Sequence, residues 1–152
     1  MHVRIRAVEE SDRTDWEQLV DNYAEFYKVT PSVDAKKHAW DWIFDPNESF
    51  WCDLAIDNDS KTIGFVQYQL MHRSLAGAKV CYLSDLFVNP EQRGSGTGRA
   101  LIDHIITFAQ TNGIENVRWL TQDSNLTAKK LYDTYVAQSE FVMYSVPVDV
   151  KN

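Results

Sequence analysis

The stretch Leu86-Phe87-Val88-Asn89-Pro90-Glu91-Gln92-Arg93-Gly94-Ser95-Gly96-Thr97-Gly98-Arg99 carries three of the chain's six glycines, spaced two apart. An apolar strand pattern leads into it and an amphipathic helix pattern leads out. Alternate glycines let the backbone curl until several N–H groups face one point. With the helix N-terminus behind them, those groups form an anion site suited to a pyrophosphate. Two familiar designs of that kind do not fit. A P-loop needs Lys and then Ser or Thr after its last glycine, but Gly98 is followed by Arg99-Ala100. The dinucleotide fingerprint needs glycine at its first, third and sixth positions, close behind the strand. Counted from Gly94 the sixth position is Arg99, and Asn89-Pro90-Glu91-Gln92 intervenes.

Outward from the loop, the pattern gives an element order. Val3 to Val8 alternates like a half-buried strand. Ser11 or Asp12 can cap a helix that places Trp16, Leu19, Val20, Tyr23 and Phe26/Tyr27 on one face, stopped by Thr30-Pro31. A second helix is expected over Val33 to Phe44. Phe50 to Ile56 and Thr62 to Met71 read as a hairpin around Asp57-Asn58-Asp59-Ser60. Ser74 to Lys79 reads as a loop, Val80 to Val88 as a strand and Gly98 to Asn112 as a helix closed by Gly113. Asn116 to Thr121 is expected to be a strand, Asn125 to Ala137 a helix, and Glu140 to Val148 the last strand. This is an α+β (mixed α/β) order: one domain over 1–152, with helices flanking a mostly antiparallel sheet. The strand–helix–strand from Val80 to Thr121 supplies a single parallel crossover.

Composition narrows the function classes. The chain has 152 residues, a formal net charge of -7, 44% hydrophobic and 24% charged residues. That size suits one domain with a full core. The acidic balance argues against sequence-independent nucleic-acid binding; it is compatible with a cationic substrate. No run approaches about 18 apolar residues, so no membrane span is expected, and a cytoplasmic protein is. Cys52 and Cys81 lie in apolar strand patterns and read as buried small hydrophobes, not as a metal cluster or a disulfide framework. His38, His72 and His104 have no ligand spacing, so no metal is expected; His104 reads as exposed on the outer side of its helix.

Arg93-Gly94-x-Gly96-x-Gly98 resembles the acetyl-CoA loop of the GNAT superfamily of N-acetyltransferases. The strand Tyr82-Leu83-Ser84-Asp85-Leu86-Phe87-Val88-Asn89-Pro90 looks like that family's strand before the loop. Asn125-x-x-Ala128-x-x-Leu131-Tyr132 is similar to its second cofactor motif. Element order agrees over nearly the whole chain.

The resemblance implies acetyl transfer from acetyl-CoA to a primary amine of a small molecule or a protein, by direct attack in a ternary complex. Backbone N–H groups of Arg93, Gly94, Ser95, Gly96, Thr97, Gly98 and Arg99 would hold the pyrophosphate. The cofactor would lie where the strands Val80–Val88 and Asn116–Thr121 splay apart, its pantetheine arm against the Leu86-Phe87-Val88 backbone. Asn125 would contact that arm, or cap its helix. Tyr132 would donate a proton to the departing thiolate. Asp85 is the acidic candidate beside the thioester, with three roles open: base, anchor for a cationic amine, or structural. Two departures stand out. Ser84 replaces the first of an acidic pair carried by polyamine-type members, and Glu140 replaces the usual glycine before Phe141. Tyr23, Glu25, Tyr27, Trp40 and Trp42 are candidates for acceptor choice, with core packing the competing role. A homodimer is expected by analogy. The competing function is a non-catalytic acyl-CoA-binding or sensing domain.

Overall fold

The computed structural model describes residues 2–151. They form two compact units, one up to Leu120 and one from Thr121. The first unit contains β1 (Arg4–Ala7), α1 (Arg13–Phe26), α2 (Val33–Phe44), β2 (Phe50–Ile56), β3 (Thr62–Arg73), β4 (Ala78–Val88), α3 (Thr97–Thr111) and β5 (Val117–Arg118). Its sheet runs in the order β1-β2-β3-β4-β5. Every pairing is antiparallel except β4 with β5, so the mixed fold with one parallel crossover is the one that forms.

Local chemistry accounts for the first helices. Asp12 stands at the start of α1, but its side chain makes no cap bond within that helix. It accepts both guanidinium nitrogens of Arg6 at 2.7 and 3.0 Å and the Glu9 N–H at 2.7 Å. The Arg6 hydrogen bond holds the Asp12 carboxyl below its usual pKa. Ser32 caps α2 through its Oγ, which accepts from the Ala35 N–H at 3.0 Å.

The inner stripe of α1 and α2 meets one face of the sheet. Trp16 and Leu19 pack with Trp40, Cys52, Leu54, Ile56, Phe65 and Phe87, and the Trp16 and Trp40 rings lie 5.1 Å apart. Each such side chain contributes about 1.5–3 kcal/mol when removed from water. Trp40 is therefore a core residue, whereas Trp42 is exposed. Leu101, Ile102, Ile105 and Ala109 form the buried stripe of α3. Both cysteines are buried free thiols. Desolvation raises the Cys81 pKa to about 11 and Cys52 further, so neither supplies a thiolate nucleophile.

Three expectations change. The strand expected over Asn116 to Thr121 is only Val117–Arg118, because β4 bends away from it, as described below. In the second unit, α4 covers Leu126–Tyr132 and does not reach Ala137. There the Thr134 N–H and Oγ both bond the Leu131 carbonyl, at 3.1 and 2.6 Å, which tightens the turn and ends the helix. Residues 140–148 form no strand. Phe141 and Tyr144 are more than 90% exposed, and Val142, Met143, Val146 and Val148 are exposed too. Alternating apolar residues favour a strand only when a neighbouring edge satisfies their backbone groups.

Candidate active site

The site begins with a register change. Gln67 of β3 pairs with Asp85 of β4, yet the next residue, Tyr68, pairs with Leu83. Ser84 is thus an extra residue in β4, a bulge of the sort that bends a strand and increases its twist. Its Oγ accepts from Gln69 Nε2 at 2.9 Å, which secures the bulge to β3. β5 pairs only with Cys81 and Tyr82, stopping just short of the bulge. From Leu83 to Val88, β4 therefore has no paired strand on the β5 side among the described residues.

The backbone of that stretch is aimed usefully. Asn89 N–H bonds Ile63 O at 2.8 Å. Antiparallel strands alternate the side to which their N–H and C=O groups point. Leu86 and Val88 consequently turn theirs away from β3, toward the unpaired edge. The Phe87 ring faces the core beside Tyr23 and Phe65. Gly64 lets β3 lie close here, since a Cβ on it would meet the Phe87 carbonyl oxygen at 2.7 Å.

The glycine loop follows through a short 3-10 turn, Pro90–Gln92. Asn22 of α1 donates to Asn89 Oδ1 at 3.2 Å, fastening the residue that enters it. Gly94 and Gly96 take φ of +81° and +87°, a region that disfavours any Cβ. Ser95 Oγ donates to Gln92 O at 2.5 Å and lies 2.8 Å from Thr97 Oγ1. The first intrahelical bond of α3 is Ala100 N–H to Gly96 O, so by helix geometry the N–H groups of Thr97 and Gly98 remain for a ligand. Arg93 turns another way. Its Nε donates to Val88 O at 3.4 Å, and its guanidinium lies 5.5 Å from the Phe26 ring centroid and 6.0 Å from that of Phe87.

Next to the bulge, Asp85 is half-buried and bonded only to neutral groups. Gln67 Nε2 donates to its Oδ2 at 2.9 Å, and the Tyr23 hydroxyl also hydrogen-bonds to it. Desolvation raises the carboxyl's pKa, and these two hydrogen bonds only partly oppose that. Tyr23 stacks edge-on against Tyr27 and Phe65, and burial together with Asp85 raises its own pKa. None of the ion pairs among the described residues involves Asp85.

Pattern reading missed two networks. Gln67 is 6% exposed, a polar residue within the buried run Ile63 to Tyr68, and that contrast was the available signal. His104, expected to be exposed, instead reaches Asp53 across the sheet. Asp53 Oδ2 lies 2.7 Å from His104 Nε2 and accepts from the Tyr68 hydroxyl at 2.9 Å. The helix periodicity of α3 alone could not reveal a buried acid on β2.

In the second unit, Asn125 Oδ1 accepts from the Ala128 N–H at 3.2 Å, the capping role anticipated for it. Tyr132 is the last residue of α4. Among the described residues no group of three or more His, Cys, Asp or Glu could hold a metal, and no helix is long and apolar enough to cross a membrane.

A parallel crossover opened by a bulge leaves an unpaired strand edge that runs into a glycine-rich helix start. The profile of the Acetyltransferase (GNAT) family matches residues 16–135, and the chain belongs to that family. It is 29% identical over 141 residues to the D-amino-acid N-acetyltransferase HPA3 of Saccharomyces cerevisiae, covering 92% of this chain and 88% of that protein. It is 30% identical to the thialysine N-epsilon-acetyltransferase of Mus musculus, covering 89% and 84%. Its fold matches AAC(6')-Iy in complex with the bisubstrate analog CoA-S-monomethyl-acetylneamine, at a TM-score of 0.81, 20% identity and coverage of 98% and 100%.

Proposed function

We propose that this acetyltransferase moves the acetyl group of acetyl-CoA to the primary amine of a small cationic molecule. The observation that carries this reading is the unpaired edge of β4 beyond the Ser84 bulge, continuous with the glycine loop. Leu86 and Val88 would pair with the pantetheine amides as a strand does. The N–H groups from Gly94 to Gly98 would take the pyrophosphate; the Arg93 N–H, also expected there, is instead bonded to the Pro90 carbonyl at 3.2 Å. Asn125 would meet the pantetheine arm with the amide nitrogen its capping oxygen leaves over. The family profile spans residues of both compact units, which supports their working as one domain.

An alkyl ammonium has a pKa of about 10.4, so roughly one molecule in a thousand is neutral at pH 7. Asp85 would draw the ammonium in by charge and then accept its proton, directly or through water. A desolvated carboxylate with neutral partners and no counter-ion is suited to both steps. The nitrogen lone pair attacks the thioester carbonyl, and the C–S bond breaks as the acetamide forms. Tyr132 would supply the proton the thiolate takes up, as a neutral phenol can. The nitrogen sheds its second proton to water, which restores the phenol's own. Two relatives, a D-amino-acid N-acetyltransferase and a thialysine N-epsilon-acetyltransferase, are named for small acceptors, which favours a small acceptor here over a protein one.

The test is thiol release from acetyl-CoA across a panel of small amines, D-amino acids and lysine peptides. Release several-fold above hydrolysis for one amine class supports the proposal. Acetyl-CoA binding without release for any amine would favour a sensing domain, and no binding at all would sink both readings.

A homodimer belongs to the same proposal. Val142, Tyr144, Val146, Val148 and Val150 alternate along an exposed segment, a pattern suited to strand pairing with a second copy. Light scattering on the full chain and on a chain ending at residue 139 would test it: loss of dimer on truncation is expected, and a full chain that is monomeric at high concentration would refute it.

A further inference from the structure

We infer that Gln67 is a positioning residue for the acceptor side of the reaction, its amide locked by Trp16 so that it always presents a donor to Asp85. This rests on the role proposed for Asp85 above. Trp16, fully buried on α1, donates its indole N–H to Gln67 Oε1 at 2.9 Å. An indole nitrogen can only donate. The oxygen of the Gln67 amide must therefore face Trp16, and its NH2 group must face Asp85 Oδ2, 2.9 Å away. A reversed amide would set NH2 against N–H on one side and a carbonyl against a carboxylate on the other, losing both bonds at once in a buried site.

The consequence is chemical. The β4 bulge places Asp85 directly opposite Gln67. The groups facing this carboxylate are the Tyr23 hydroxyl from α1, the Gln67 amide from β3, the Cys52 thiol from β2 and Tyr82 on β4 itself. None of them is a cation. The fixed amide donor favours the ionised form without neutralising it, in a site whose burial otherwise favours the acid. It also holds Oδ2, leaving Oδ1 for the incoming amine. A lysine or arginine in place of Gln67 would have provided the donor but cancelled the charge an ammonium needs. Gln67 thus sets both the orientation of the carboxylate and the pH at which it ionises.

The experiment is the pH dependence of kcat/KM for the best amine in wild type, Gln67→Met, Tyr23→Phe and Asp85→Asn, with acetyl-CoA affinity and melting temperature measured alongside. Met matches Gln in length and lacks the donor. The expected result is that the acid limb moves to higher pH by about one unit in Gln67→Met, the size one hydrogen bond to a charged group supplies. The amine KM should rise while acetyl-CoA affinity stays at wild type. Tyr23→Phe should shift the limb in the same direction, and Asp85→Asn should abolish the limb along with most of the activity. An unmoved limb in a folded Gln67→Met overturns the inference even if Asp85→Asn is inactive. Wild-type activity and limb in Asp85→Asn would instead overturn the role of Asp85, and this inference with it. Should Gln67→Met not fold, Gln67→Glu carries the test: two carboxyls sharing a proton should push the limb up by more than one unit, and an unmoved limb there overturns the inference equally.

Discussion

Asp53 Oδ2 lies 2.7 Å from His104 Nε2, joining β2 to the helix that grows out of the glycine loop. Asp53 is 6% exposed, so its carboxylate depends on His104 and Tyr68 for satisfaction. Removing the imidazole by His104→Ala leaves a buried acid with one partner. A loss of about 1–3 kcal/mol is expected, measured by urea denaturation. His104→Phe, which fills space without bonding, should not restore it.

Gly64→Ala tests the approach of β3 to β4. The added methyl would meet the Phe87 carbonyl oxygen at 2.7 Å, a backbone atom that cannot swing aside. A cost of about 1–3 kcal/mol is expected from overpacking. Because Val88 follows immediately, acetyl-CoA affinity should fall as well, read by calorimetry.

Gly96→Ala separates conformation from contact. Nothing lies within 4 Å of the site a Cβ would occupy, yet φ is +87°. The expected penalty is about 1–2 kcal/mol from the left-handed backbone alone. If the loop relaxes to avoid it, acetyl-CoA binding should weaken about tenfold with the amine KM unchanged. A variant with wild-type affinity would show that the loop's curl is not what binds.

Asp85→Asn should cost activity and add stability. Burial raises the folded-state pKa of Asp85. A carboxyl whose folded pKa exceeds its unfolded value stabilises the fold below the unfolded pKa and loses that contribution as pH rises through the folded one. At pH 7 the charge is therefore a burden, and the neutral amide removes it. The melting temperature at pH 7 should rise relative to wild type, and the difference should shrink toward pH 4. The rate with the best amine should fall about 100-fold or more.

Tyr132→Phe should lower kcat by about 10–100-fold with acetyl-CoA affinity kept. A donor thioester of a more acidic thiol, which needs no proton on leaving, should recover most of the loss.

Much of the architecture is legible in residue order. The period-two runs at Phe50 to Ile56 and Thr62 to Met71, and the helix over Val33 to Phe44, depend on local alternation and capping, and they form where expected. Expectation failed where a partner decides. Thr121 and residues 140–148 have strand-forming residues, yet a strand exists only if another backbone lies alongside it. The same holds for polar side chains: Gln67 and His104 look ordinary until the residue across the sheet is known.

The sequence by itself determined the glycine loop and its place between a strand and a helix, because these are matters of residue type and spacing along one chain; the candidates Asp85, Asn125 and Tyr132 came from the family resemblance that its motifs carry. Only the tertiary structure decided that Ser84 is a bulge, that β5 parts from β4 after Tyr82, and that Trp16, Gln67 and Asp85 form one hydrogen-bonded line. Those facts join residues up to 69 positions apart, from Trp16 to Asp85, and register and amide orientation are set by what lies opposite, not by what lies next in the chain.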